Sequence, residues 1–155
     1  MAVEERGSEN GIERTERWLD VRAIARVHAS SEQQMHRIDA AFSADAAAHW
    51  RAAEPGEQVI ELYFDPPRDL TRIRLLFVEE ETPRTQEFTI RWSSRRGETH
   101  GEIVRQQFNF SPSGASREME DYAVELRGVE RLQIHVIPDI GHRPVHATLA
   151  RLQLA

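Results

Sequence analysis

Short stretches in which apolar residues take every second position recur along most of the chain, the pattern of strands that keep one face in a core. Val21, Ala23, Ala25 and Val27 alternate with Asp20, Arg22, Ile24 and Arg26. Within 57–64, Ile60, Leu62 and Phe64 alternate with Glu61 and Tyr63, and within 71–78, Ile73, Leu75 and Phe77 alternate with Arg72 and Arg74. Phe88, Ile90 and Trp92 follow in 86–93, then Val104, Gln106, Phe108 and Phe110. Tyr122, Val124 and Leu126, then Leu132, Ile134 and Val136, and finally Leu152 and Leu154 complete eight predicted strands. Pro66-Pro67, which cannot donate to a ladder, is expected to stop the second strand, and 94–101, with two glycines, to form a loop. Two segments have helical propensity: the alanine-rich 40–49, where a short helical turn is expected, and 117–126, where the Tyr122, Val124, Leu126 alternation predicts a strand instead. Antiparallel strands without alternating long helices predict an all-β fold, an eight-stranded antiparallel β-sandwich of jelly-roll type.

A chain of 155 residues, 39% hydrophobic and 30% charged, suits one domain. Residues 1–17 lack a sustained apolar period and read as a polar leader, leaving 18–155 as the sandwich. The net charge of −6 argues against a surface built to grip phosphate backbones, so nucleic acid is an unexpected partner. All 20 basic residues are arginines, which removes lysine chemistry such as Schiff-base catalysis, and with abundant alanine suggests a GC-rich bacterial genome. There is no cysteine, hence no disulfide, thiolate nucleophile or cysteine zinc site, and the cytoplasm is the expected address. No run of about 18 apolar residues predicts a membrane span.

Several residues carry a family resemblance. Ala29-Ser30-Ser31 matches the turn after a first strand, Asp39 to His49-Trp50 an irregular loop leading to a tryptophan, and 56–62 (GEQVIEL) a strand holding a glutamine. Phe88-Thr89-Ile90-Arg91-Trp92-Ser93 with Gly97 matches a strand ending in serine before a glycine-bearing hairpin. From about Trp18 to Ala155 the chain resembles the discoidin, or coagulation factor 5/8 type C, group of galactose-binding-like domains, which implies a galactose-binding-like sandwich and a sugar-binding role. Over 27–64 it is also similar to the N-terminal domain of the X-ray repair cross-complementing scaffold of single-strand-break repair, through Ser30-Ser31, Trp50-Arg51-Ala52-Ala53 and Gly56-Glu57. That domain is associated with a repair polymerase and damaged DNA, but its basic character is missing here. The family's terminal disulfide cannot form. A structural calcium, carried in related modules by an Asp-Gly-Asn loop, would have only Asp39 and Asp45 as obvious carboxylates.

Candidate chemistry is sparse. His142 and His146 have a metal-site spacing, but Gly141 and Pro144 make the segment a loop, and surface histidines are expected there. Asp139 and His142 could pair as acid and base, yet no nucleophile elbow accompanies them. Glu79-Glu80-Glu81 reads as a solvated turn. Arg72, Arg74, Arg91 and Arg105 would form a cationic stripe if their strands shared a sheet, or pair across strands with Glu61, Glu87 and Glu125. Trp92 has core phase, whereas Trp50 is either a ligand platform or a buried loop anchor.

With no catalytic constellation and no cofactor motif, the chain reads as a binding module rather than an enzyme. The loops 28–50 and 111–118 are expected to present the site, with His36, His49, Trp50, Arg51 and Arg84 as contacts. The expected partner is a carbohydrate; the alternative is a protein-interaction or DNA-repair module.

Overall fold

The computed structural model describes residues 4–5, 17–94, 96 and 99–155. Residues 1–3 and 6–16 of the expected leader lie outside them, as do 95, 97 and 98 of the expected 94–101 loop. In chain order the elements are β1 (Glu4–Glu5), a helical turn α1 (Val21–Ile24), β2 (Ala25–Ala29), a 3-10 turn (Ile38–Phe42), β3 (Trp50–Arg51), β4 (Gln58–Val78), β5 (Arg84–Ser94), β6 (His100–Phe110), β7 (Arg117–Ile137), β8 (Thr148–Leu149) and β9 (Arg151–Leu154).

Two strands of 21 residues each, β4 and β7, organise the molecule. They pair antiparallel twice, Gln58–Tyr63 against Arg131–Val136 and again up to Val78 against Arg117, with register shifts from Tyr63 to Arg72. The break falls where Pro66 and Pro67 lack an N–H and where Gly128 takes a φ of +63°, a left-handed conformation that suits glycine. Pro66-Pro67 therefore interrupts the ladder without ending the strand, and four expected strands fuse into two that bend between layers. One layer runs β2, the first half of β4, the second half of β7, β5 and β6; the other contains β9, the second half of β4, the first half of β7 and β1. Phe77 of the second layer meets Phe88 of the first at 5.2 Å between ring centres, in the middle of the sandwich. Short β3 and β8 pair separately.

Alternation decides the core. Ile60, Leu62, Phe64, Ile73, Leu75, Phe77, Phe88, Ile90, Leu132, Ile134 and Val136 are all buried, as the period-two pattern requires. The helix-forming stretch 117–126 is strand, because Tyr122, Val124 and Leu126 bury themselves between the layers. The first expected strand is half corrected: Val21–Ile24 is a helical turn and only Ala25–Ala29 is strand. Leu19 N donates to Leu154 O in the second layer at 2.8 Å, while Ala25 pairs with Phe64 in the first, so the chain must cross between layers there, and the turn carries it.

Candidate functional site

Four connections gather at one end of the sandwich. Ala29 pairs with Ile60, Gln58 with Val136, Glu87 with Ile137, Arg84 with Phe110 and Val78 with Arg117, so segments 30–57, 79–83, 111–116 and 138–147 all leave from that end. The loops 28–50 and 111–118 thus share it.

The longest connection is braced by a small set of polar atoms. Ser30 Oγ and Ser31 Oγ both donate to Gln58 Oε1, at 2.6 and 2.8 Å, and Gln58 Nε2 donates to Glu54 O at 3.0 Å. The same hydroxyls accept from the backbone, Ser31 from Ala53 N and Glu54 N and Ser30 from Val59 N. An irregular loop has no ladder of its own, and this brace satisfies its amides. The Ala-Ser-Ser turn and the strand glutamine, which carried the family resemblance, are its members. Trp50 belongs to it too: its ring is fully buried and its indole N–H donates to Ser31 O at 2.9 Å. The ligand-platform reading of Trp50 is corrected, because a ring that anchors the loop from beneath has no face for a ligand.

On this frame, His36 and His49 stack with ring centres 4.3 Å apart and 25° between planes. Arg51 N donates to His36 O at 3.0 Å, and Gln33 N donates to Arg51 O at 2.9 Å. His49 and Arg51 flank inward-facing Trp50 and so face the other way by strand alternation. No described residue hydrogen-bonds or ion-pairs the half-buried Arg51 guanidinium. Glu32 Oε2 accepts from Ile38 N at 2.8 Å and steadies the 3-10 turn behind His36. Three predicted contacts, His36, His49 and Arg51, are therefore brought together.

Arg84 is not among them. It is 3% exposed and its guanidinium donates to Glu79 Oε1 (2.8 Å), Gln86 Oε1 (3.0 Å) and Pro138 O (2.9 Å) while lying over the Phe110 ring. Arg84 as a ligand contact is corrected, and its phase explains why: Arg84 and Gln86 alternate inward with Phe88. Burial draws the Arg84 guanidinium below its usual range against the pull of Glu79. Burial pushes the Glu79 carboxyl up, but the Arg84 bond outweighs it and leaves it below the ordinary value. Beneath them lies an acid that the sequence reading missed. Glu118 is 1% exposed, accepts from Gln86 Nε2 at 3.2 Å, and is pushed up to about 9 by burial and by the neighbouring Glu120 carboxyl. Glu118 Oε2 has no hydrogen-bond donor. The retained proton makes it a donor toward Glu120.

The remaining candidates resolve as structure. Asp139 accepts from Thr85 N and from the Nε of Arg143, whose bonds hold its carboxyl below the usual range, so it is not the partner of His142. His146 Nδ1 lies 2.9 Å from Ala52 O. Among the described residues no three His, Asp or Glu side chains converge on a metal position, Asp39 and Asp45 included. Glu79, expected in a solvated turn, is drawn in to Arg84. The cationic stripe divides between layers: Arg72 and Arg74 grip Asp121 and lie over Trp18, while Arg105 pairs with Glu102 and Glu87. No described helix is long and apolar enough to cross a membrane.

No protein-family model matches the sequence, and no curated protein does. Solved structures do. The family 32 carbohydrate-binding module of Clostridium perfringens NanJ, in complex with galactose, superimposes with a TM-score of 0.61 at 12% identity over 87% of this chain and 96% of that one. The family 32 module of AlyQ, in complex with 4,5-unsaturated mannuronic acid, gives 0.65 at 14% over 90% and 98%. A third such module, from a family 31 glycoside hydrolase of Clostridium perfringens, gives 0.61 at 16% over 88% and 93%. At these identities the likeness speaks for architecture, and the chain has the galactose-binding-like β-sandwich fold of these modules.

Proposed function

We propose that the chain is a non-catalytic carbohydrate-binding module whose saccharide sits at the loop end, against His36, His49 and Arg51. The observation that carries this reading is the stacked His36–His49 pair beside an arginine with no partner among the described residues, on a loop anchored by the Ser30–Ser31–Gln58 brace. Imidazole edges and a guanidinium hydrogen-bond to vicinal hydroxyls, and side chains fixed in advance lose little entropy on binding. The likeness to modules solved with galactose or a uronate supports the same class of ligand. Catalysis through Ser30, Ser31 or Asp139 is disfavoured, because Gln58 engages both hydroxyls and Arg143 the carboxylate. A glycan array tests the proposal: binding to a defined set of glycans is expected, reduced about tenfold or more in Arg51→Gln, the share of a charge-assisted hydrogen bond. An array with no bound glycan overturns it.

A further inference from the structure

The charges around the loop end are unevenly committed. Arg72, Arg74, Arg84 and Arg131, each partly or wholly buried, meet a carboxylate within 2.8 Å. Arg51 is half-buried as well, and its guanidinium meets none among the described residues. The acids on its own segment are turned elsewhere. Glu32 accepts from Ile38 N, with Arg37 4.0 Å away; Asp39 lies 3.9 Å from Arg22; Asp45 accepts from Ala47 N at 2.9 Å; and Glu57 lies 3.2 Å from His135. Glu54 is exposed and forms no ion pair with a described residue. In a chain of net charge −6, a cation passed over by the acids nearest to it in sequence suits a counter-ion from outside.

The imidazoles beside Arg51 add a second feature. His49 Nδ1 lies 3.3 Å from Ala47 O, and a carbonyl only accepts, so Nδ1 carries the hydrogen. Nε2 of a neutral His49 is then an acceptor, and protonation turns it into a donor. The ring of His36, stacked on it at 4.3 Å, has no hydrogen bond with a described residue. The other basic groups at the segment are committed to backbone oxygens, His146 Nδ1 at 2.9 Å from Ala52 O and Arg151 at 3.3 Å from Asp45 O. Without a ligand, a charge on either imidazole adds to that of Arg51 with no committed anion to offset it. A bound carboxylate reverses that balance.

We infer that the loop end selects a carboxylate-bearing saccharide, its carboxylate on Arg51 and its hydroxyls on the imidazoles, and that the His36–His49 pair takes up a proton with it. The inference rests on the loop-end reading proposed above and adds the class of sugar and the pH dependence. A carboxylate meets the uncommitted guanidinium in a forked, charge-assisted pair, where a neutral sugar offers only hydroxyls. Because the proton enters with the ligand, affinity is highest at low pH and is lost as pH rises through the imidazole range.

The test uses the full chain labelled with nitrogen-15, titrated with galacturonic and glucuronic acids and with their methyl esters as neutral copies. The range is about pH 5.5 to 8, over which imidazoles titrate and carboxylates stay ionised. At the low end a uronate should shift the His36, His49 and Arg51 resonances and bind about tenfold or more tighter than its ester. Its affinity should fall about three- to tenfold by pH 8, the loss expected for up to one linked proton, while that of the ester stays level. Arg51→Gln should reduce uronate binding to the level of the ester, Arg51→Lys should retain part of the preference, and His49→Gln should flatten the pH dependence, all with melting temperatures near that of the parent. Uronate and ester binding alike, uronate affinity level across the range, or stationary loop-end resonances at millimolar uronate each overturn the inference. A pentaglutamate peptide that binds as tightly as the uronates also overturns it. Neutral glycans that still shift the loop-end resonances would leave the saccharide reading standing without this inference, whereas a glycan array with nothing bound removes both.

Discussion

The region around Trp50 and the region around Trp92 place the same side chain in opposite circumstances. Both rings are buried, but the Trp50 N–H is satisfied by Ser31 O beside the Ser30–Ser31–Gln58 brace, whereas the Trp92 N–H, on the inward side of β5, has no partner. Burial alone therefore says little about role. What separates the two is whether the polar atom each ring carries is answered by the protein.

The largest effects should come from removing either ring. Trp50→Ala and Trp92→Ala should each cost about 3–5 kcal/mol in urea denaturation, since both leave a cavity in a packed interior; a loss under about 1 kcal/mol at either position would contradict its place in the core. Arg84→Ala should cost a similar amount, about 3–5 kcal/mol, because it strands Glu79 and the buried cluster without their cation. A midpoint within error of the parent would mean that Arg84 is not the internal tie described above.

Conservative changes sharpen the contrast between the two tryptophans. Trp50→Phe should cost about 1–3 kcal/mol beyond packing, by orphaning Ser31 O and loosening the loop, while Trp92→Phe should be closer to neutral because no hydrogen bond is lost. Equal costs for the two would erase the distinction.

The buried Glu118 gives a pH-dependent effect. Its folded value of about 9 lies above the unfolded 4.5, so the stability it contributes is fully present below the unfolded value and is lost as pH rises toward 9. Glu61, Glu79, Asp121 and Asp139 are shifted down and act in the opposite sense, contributing above the ordinary carboxyl range and losing that contribution as pH falls. Urea midpoints measured from pH 5 to 9 should fall less steeply in Glu118→Gln than in the parent; parallel curves would mean that Glu118 is ionised in the fold.

Much of the fold was legible because burial in a sandwich follows a period of two, and Ile60, Phe77, Phe88 and Ile134 announce it. The 117–126 strand was legible for the same reason, against local propensity. What alternation cannot convey is how long strands bend: the fusion across Pro66-Pro67 depends on pairing between distant residues. The site was legible in part. His36, His49 and Arg51 sit together as the loop reading expects, but Arg84, expected as a ligand contact, lies inside, where its phase with Gln86 and Phe88 places it. Trp50 was undecidable from sequence, because whether a loop tryptophan faces in or out depends on the Ser31 carbonyl that its ring nitrogen reaches. The unpaired Trp92 N–H was invisible, since a missing hydrogen bond leaves no trace in a sequence.

The central claim is that the loop end binds a saccharide through His36, His49 and Arg51. The most direct measurement is a nitrogen-15 titration of the full chain with whichever glycan the array selects, following the His36, His49 and Arg51 resonances in the parent and in His36→Ala. The account predicts shifts concentrated at those three residues, and their loss in His36→Ala while the urea midpoint stays within about 0.5 kcal/mol of the parent, as for a surface change. Shifts that bypass the loop end, or binding that survives His36→Ala undiminished, would contradict it.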